Sequence, residues 1–184
     1  MTFVAVTLHE ITEQNRAAVL ALRVAPEQER FVGSVHDALD DAAEYPHAKP
    51  WYRAVYIDEE PVGFVMLSWN VQPRPPDIIG PWFLWKLLID RPHQGLGYGA
   101  DVVRLVADLV RAEGATELLT SYVPADDGPA GFYRRLGFTP TGDLDRAGEI
   151  IVRLPLTQPP RPASRAAPPA HRSRRPTPVS GIVM

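Results

Sequence analysis

Residues 82–112 read WFLWKLLIDRPHQGLGYGADVVRLVADLVRA, and this stretch decides the fold. WFLWKLLI is apolar throughout except for Lys86, the pattern of a strand covered on both faces. After the loop, Asp101, Arg104, Asp108 and Arg111 form one polar stripe, while Val102, Val103, Leu105, Val106, Leu109 and Val110 supply the apolar remainder. That predicts an amphipathic helix lying on a sheet. Between strand and helix, Gln94-Gly95-Leu96-Gly97-Tyr98-Gly99-Ala100 lets main-chain N–H groups converge where a helix adds its positive dipole end, a cradle suited to a pyrophosphate. Gly95-x-Gly97-x-x-Ala100 also satisfies the dinucleotide fingerprint. That version opens a parallel βαβ fold and needs an acid ending the next strand, whereas here a hairpin precedes the loop and ELLTSY ends in Tyr122.

Working outward, Val4, Val6 and Leu8 alternate as a first strand, and Thr12 before EQNRAAVLALR reads as the N-cap of a helix to about Arg23. Ser34 caps a second helix, VHDALDDAAEY, which stops at Pro46 and gathers His36, Asp37, Asp40, Asp41 and Glu44 on its polar face. WYRAVYI and PVGFVMLSW, joined at Asp58-Glu59-Glu60, predict an antiparallel hairpin over 51–70. Beyond the long helix, ELLTSY is a strand, PAGFYRRLG a short helix opening at Pro129, and EIIVRLPL a final strand. The order is β-α-α-β-β-β-α-β-α-β-β, a mixed α/β fold.

The chain has 184 residues, with 45% hydrophobic and 22% charged, enough to bury a core without disulfide or metal. It has no Cys, which removes thiolate nucleophiles and Cys-ligated zinc, and its five His are scattered without paired ligand spacing. No apolar run reaches the roughly 18 residues needed to cross a bilayer, and MTFVAVTLHE lacks a basic leader, so a soluble, cytoplasmic protein is expected. Residues 157–184 hold five Arg, seven Pro and no acid, leaving the remainder with 14 Lys and Arg against 22 Asp and Glu. One domain over 1–156 and a disordered Pro/Arg-rich tail over 157–184 follow. An acidic body argues against nucleic acid and is permissive for a cationic small molecule.

Gln94-x-x-Gly97-x-Gly99, in this element order and followed by Ala130-Gly131-Phe132-Tyr133-Arg134-Arg135-Leu136-Gly137-Phe138, resembles the GNAT superfamily of acetyl-CoA-dependent N-acetyltransferases over residues 1–156. Gln28-x-x-Phe31-Val32, Pro61-Val62-Gly63-Phe64, Trp85-Lys86-x-x-Ile89-Asp90, Gly142 and Gly148-Glu149 resemble its bacterial spermine/spermidine branch. The resemblance implies a mostly antiparallel sheet splayed between its fourth and fifth strands and flanked by helices. It also implies acetyl-CoA as co-substrate, no metal, a primary amine acceptor such as a polyamine, and a homodimer as the candidate assembly. Pantetheine would lie against the backbone of Leu87, Leu88 and Ile89, the pyrophosphate against residues 94–100 (Gln94, Gly95, Leu96, Gly97, Tyr98, Gly99, Ala100), and a side chain at Gly97 or Gly99 would crowd it. Leu88 N–H would serve as oxyanion donor and Tyr133 as the acid that protonates the leaving thiolate.

Two departures from the family pattern stand out. Asp126 occupies the position where relatives carry an Asn that contacts cofactor, and Asp lacks the amide donor. Trp85 occupies the position where relatives often carry a Glu base, leaving His36, Asp37, Asp77 and Glu149 as candidates. A base is needed because an alkylamine with pKa about 10.4 is only about one part in 2,500 neutral at pH 7. Gln28, His36, Asp37 and Trp85 are the candidate acceptor contacts, with the Asp37, Asp40, Asp41 and Glu44 face as a polyamine attractor and Trp51, Trp82 and Trp85 as channel walls offering cation–π contact. Alternative readings are an acceptor that is an antibiotic, amino acid or protein amino group, and a non-catalytic acyl-CoA sensor.

Overall fold

The computed structural model describes residues 5–157; the expectation for the basic tail falls outside the described residues apart from Thr157. The chain runs β1 (Val6–His9), α1 (Arg16–Leu20), α2 (Glu29–Val32), α3 (Val35–Glu44), β2 (Pro50–Ile57), β3 (Glu60–Ser68), β4 (Phe83–Ile89), α4 (Tyr98–Ala112), β5 (Glu117–Tyr122), α5 (Ala130–Arg135), β6 (Thr139–Leu144) and β7 (Ile150–Pro155). The strands form one sheet in the order β1-β2-β3-β4-β5-β7-β6. Neighbours are antiparallel except β4 and β5, which α4 connects as a parallel crossover.

Strand alternation sends Val55, Val65, Leu67 and Leu84 to one face, where α4 buries Val102, Val103, Val106 and Val110. Ala54, Phe64, Met66 and Leu88 go to the other face and meet Val19 of α1 with Val35 and Ala38 of α3. Each large side chain so enclosed contributes about 1.5–3 kcal/mol. The β3–β4 ladder has one irregularity: Met66 opposes Lys86 and Leu67 opposes Leu84, so Trp85 is an extra residue. A bulge of this kind sets Trp85 and Lys86 on the same face, that of α1 and α3.

Ser34 caps α3 as expected: its Oγ accepts the Asp37 N–H at 3.1 Å, and Asp37 Oδ2 accepts the Ser34 N–H at 2.9 Å. The first helix starts later than expected because Asn15 Oδ1 accepts the Thr12 N–H at 2.8 Å, holding Thr12 in a turn ahead of α1, and it ends at Leu20, short of Arg23. Helix α2 was not anticipated. Trp51 and Trp82 do not form a channel wall: Trp51 stacks on Trp69, whose ring meets Trp82 edge-on at 5.0 Å, and Trp82 is buried in the α4-side core. Among the described residues, no helix is long and apolar enough to cross a membrane.

Candidate active site

Strands β4 and β5 pair over only two residues each, at the start of β4 and the middle of β5. Phe83 opposes Leu119 and Leu84 opposes Thr120, with the Leu119 N–H donating to Trp82 O at 2.9 Å and the buried Thr120 hydroxyl to Leu84 O at 2.8 Å. Past that point β4 stays paired to β3 as far as Ile89, while β5 stays paired to β7 as far as Tyr122. The two strands therefore diverge and open a cavity of about 420 Å³, with Leu87 and Ile89 on one side and Ser121 and Tyr122 on the other. Gly63 permits the tight β3–β4 approach, since a Cβ there would stand 2.5 Å from Leu88 O.

The ladder decides which backbone groups face this wedge. The Asp90 N–H donates to Val62 O at 2.8 Å, which makes 90/62 a hydrogen-bonded pair. Two residues back, Leu88/Phe64 is the next such pair, and the intervening Ile89/Gly63 and Leu87/Val65 pairs turn their N–H and C=O outward. Ile89 O does point outward, accepting Gln94 Nε2–H at 2.8 Å. This corrects the expectation for Leu88: its amide is directed to β3, and the wedge-facing amides belong to Leu87 and Ile89.

At the end of β4 the chain enters the glycine loop. Gly95 and Gly97 have φ of 76° and 90°, conformations that glycine adopts without strain. The five consecutive amides from Gly95 to Gly99 have no hydrogen-bond partner among the described residues; the first bonds of α4 run from the Ala100 and Asp101 N–H groups to Gly97 O. A Cβ at Gly95 or Gly97 would meet nothing within 4 Å, so the space over these donors is open. This array fits a diphosphate. Gly99 differs: a Cβ there would rest 3.5 Å from Phe132 and 3.7 Å from Ile89, ordinary contacts with protein. Leu96 is exposed, and Gln94 Nε2 also donates to Gln28 Oε1 at 2.8 Å, tying the loop to the segment before α2. Gln28 Oε1 in turn accepts the Ala25 N–H at 3.2 Å.

Helix α5 carries Tyr133 into the apex of the wedge, where its ring lies parallel to Tyr122 with centroids 6.1 Å apart and meets Phe138 edge-on. Burial of the hydroxyl pushes the phenol above its ordinary value, a hydrogen bond with Thr120 draws it partly back, and the Glu149 carboxylate adds a smaller upward push. Tyr133 is therefore protonated at neutral pH. In the same cavity lining, Ser121 Oγ donates to Glu149 Oε2 at 2.6 Å and lies 3.2 Å from Asp145 Oδ2.

A second cavity, about 770 Å³, shares Phe83, Trp85, Asp145 and Ala147 with the wedge. Tyr45, His47, Asp77 and Arg146 are among its walls, and Arg146 donates to Asp77 at 2.7 Å. The candidate residues thus separate. Gln28, Trp85, Gln94, Tyr133 and Glu149 come together at the wedge; Asp77 lies in the outer chamber, already paired. His36 and Asp37 line neither cavity. His36 is exposed beside Asp40 at 3.6 Å, while the Ser34 side-chain bond holds the Asp37 carboxyl below the usual range. Asp126 is exposed and outside the wedge lining; its neighbour Asp127 lines the wedge and accepts Arg30 at 2.6 Å. Asp41 of the acidic face is bound to Lys86 at 3.2 Å. The sequence reading missed Asp145, Ser121, Lys86 and Asp127. Asp145, three residues ahead of Gly148, is a turn-forming pattern that could have drawn attention to it. Among the described residues, no group of three or more His, Cys, Asp or Glu could hold a metal ion.

Comparison with known proteins agrees with this geometry. A family model described as the acetyltransferase (GNAT) family matches residues 16–138. Two curated relatives, the spermine/spermidine N(1)-acetyltransferase of Bacillus subtilis strain 168 and the probable spermine N(1)-acetyltransferase of Bacillus subtilis subsp. natto strain BEST195, are each 28% identical over 148 residues, covering 80% of this chain and 96% of the relative. An acetyltransferase structure from Thermus thermophilus superposes with TM-score 0.63 at 20% identity, over 85% of this chain and all of the other. An aminoglycoside acetyltransferase in complex with coenzyme A gives TM-score 0.63 at 16% identity, over 82% of this chain and 95% of the other. These two likenesses speak to the fold.

Proposed function

The chain belongs to the acetyltransferase (GNAT) family and is an acyl-CoA-dependent N-acetyltransferase; from that premise we propose that it acetylates a primary amine of a small cationic acceptor, with polyamines as the substrate class. Acetyl-CoA supplies an activated thioester. The observation that carries the reading is the wedge opened between β4 and β5, whose lining brings the half-buried Tyr133 together with the Asp145 and Glu149 carboxylates.

The chain's own groups divide the work. The amides of Gly95 to Gly99 hold the diphosphate, and the outward backbone of Leu87 and Ile89 lies along the pantetheine arm. The Leu87 amide, the first outward-facing one after the bulge, donates to the developing negative charge on the acetyl oxygen in this reading. Tyr133, protonated at neutral pH, gives its proton to the departing sulfur. The outer chamber receives the body of the acceptor, where the Tyr45 and Trp85 rings, 6.4 Å apart, offer cation–π contact worth about 0.5–2 kcal/mol. Two relatives named for spermine and spermidine support the acceptor class.

The test is a thiol-release assay with acetyl-CoA over a panel holding spermidine, spermine, an aminoglycoside, free amino acids and a lysine peptide. The reading expects the highest kcat/KM for a polyamine. Preference for another member would replace the acceptor class, and cofactor binding without turnover of any amine would favour a sensor.

A further inference from the structure

Position 85, from which relatives often supply a carboxylate base, here carries Trp85, whose ring stands at the passage between the two cavities. Something else must take the proton that an ammonium acceptor sheds. Of the candidate bases, His36 is outside both cavities and Asp77 is engaged by Arg146 in the outer chamber. Glu149 lies in the wedge itself. Its Oε2 accepts the Ser121 hydroxyl at 2.6 Å, and its Oε1 has no hydrogen-bond partner among the described residues.

The turn that presents Glu149 is built by Asp145. Asp145 Oδ1 accepts the N–H groups of Ala147 and of Glu149 itself, both at 2.9 Å, and the Asp145 N–H donates to Glu149 O at 3.0 Å. One side chain thus fixes the backbone from which Glu149 projects, and Ser121 on the facing strand fixes the carboxylate. We propose that Glu149 is the proton acceptor of the transfer reaction, oriented by Ser121, and that Asp145 is the positioning residue that holds it there. The base has moved from the central strand to the β6–β7 turn. This assignment rests on the acetyltransferase reading but not on the choice of acceptor.

The proton balance closes. An ammonium acceptor loses two protons on becoming an amide. Glu149 takes the first before the C–N bond forms and releases it to solvent. It takes the second after that bond forms and the C–S bond breaks, and this proton returns to the Tyr133 oxygen, which has given its own to sulfur. Transfer from a carboxylic acid to a phenoxide is downhill by about six pK units.

The experiment compares Glu149→Gln, Ser121→Ala, Asp145→Ala and Asp145→Asn with whichever amine the wild type acetylates, so that failure of the polyamine reading appears as a different acceptor and leaves this test in place. Calorimetric titration with acetyl-CoA should give an unchanged dissociation constant for all four, showing each is folded. Glu149→Gln should lower kcat at neutral pH by about 100-fold or more, and Ser121→Ala and Asp145→Ala by about tenfold. Asp145→Asn keeps the Oδ1 acceptor for the two amides and should stay within about threefold of wild type. The Glu149→Gln deficit should shrink as pH rises toward the amine's own pKa, about 10.4, where the acceptor is already neutral and the first of the two proton transfers is no longer needed. The other titratable groups lining this cavity, Asp145, Tyr133, Tyr122, Lys86 and Asp127, remain in that variant. A Glu149→Gln deficit independent of pH, or kcat near wild type, would overturn the assignment of the base. Asp145→Asn as impaired as Asp145→Ala would overturn the positioning role.

Discussion

Replacing Gly97 by alanine isolates the backbone requirement of the phosphate loop. Gly97 sits at φ 90°, ψ −6° as the residue before α4, and an added Cβ would meet no atom within 4 Å. The cost is therefore conformational: an L-residue held there loses roughly 1–2 kcal/mol relative to glycine. That strain has two outlets. If the loop keeps its shape, the fold carries the cost, and for a domain of this size the midpoint of thermal unfolding falls by roughly 2–8 °C. If the loop relaxes to a negative φ, the amides of Gly95 to Gly99 no longer converge and the dissociation constant for acetyl-CoA rises roughly 5- to 30-fold. Gly99→Ala is the control, because Gly99 is helical without a positive φ and its Cβ would make only ordinary contact with Phe132 and Ile89. That variant should bind acetyl-CoA within about twofold of wild type and unfold no earlier. Calorimetry and thermal denaturation on both proteins decide the matter. Unchanged stability together with unchanged affinity for Gly97→Ala, or equal weakening by Gly99→Ala, would refute the reasoning.

Tyr133→Phe should lower turnover at least tenfold with little change in acetyl-CoA affinity; undiminished turnover would remove Tyr133 from the acid role. Asp37→Asn should leave both kinetic constants alone and lower the unfolding midpoint at neutral pH. Because the Ser34 bond depresses the Asp37 pKa, that contribution is present above the ordinary Asp value near 4 and is lost as pH falls through the folded value. Scans at pH 7 and pH 3 should therefore show the deficit narrowing, and an equal deficit at both would contradict the capping account. Deleting residues 158–184 should leave kcat/KM intact if the catalytic domain ends near Leu156, and a collapse would show that the tail contributes to the site.

Local pattern carried much of this molecule. The uninterrupted WFLWKLLI and the 3, 4, 3 polar stripe after it mark β4 and α4 because strand burial and helix amphipathicity are properties of a short window. Ser34 with Asp37 three residues on likewise marks the start of α3. Strand β6 was harder to place: Thr139–Leu144 is mostly exposed, has no alternation, and is a strand because β7 pairs with it. The same distinction runs through the site. Gln94 to Ala100 and Tyr133 lie in contiguous motifs and were legible. The bulge at Trp85, the direction of the Leu87 and Leu88 amides and the meeting of Ser121 with Glu149 depend on the register between strands distant in sequence. Asp37 and His36 looked like acceptor contacts because their helix face is charged, but helix periodicity does not say which cavity that face overlooks.

The measurement closest to the centre of this account is a crystal structure of the protein with acetyl-CoA. The diphosphate should lie within hydrogen-bond distance of the amides between Gly95 and Gly99, with the acetyl oxygen at the Leu87 amide and the sulfur beside the Tyr133 hydroxyl. A cofactor bound outside the wedge between β4 and β5, or a diphosphate held by side chains away from this loop, would contradict it.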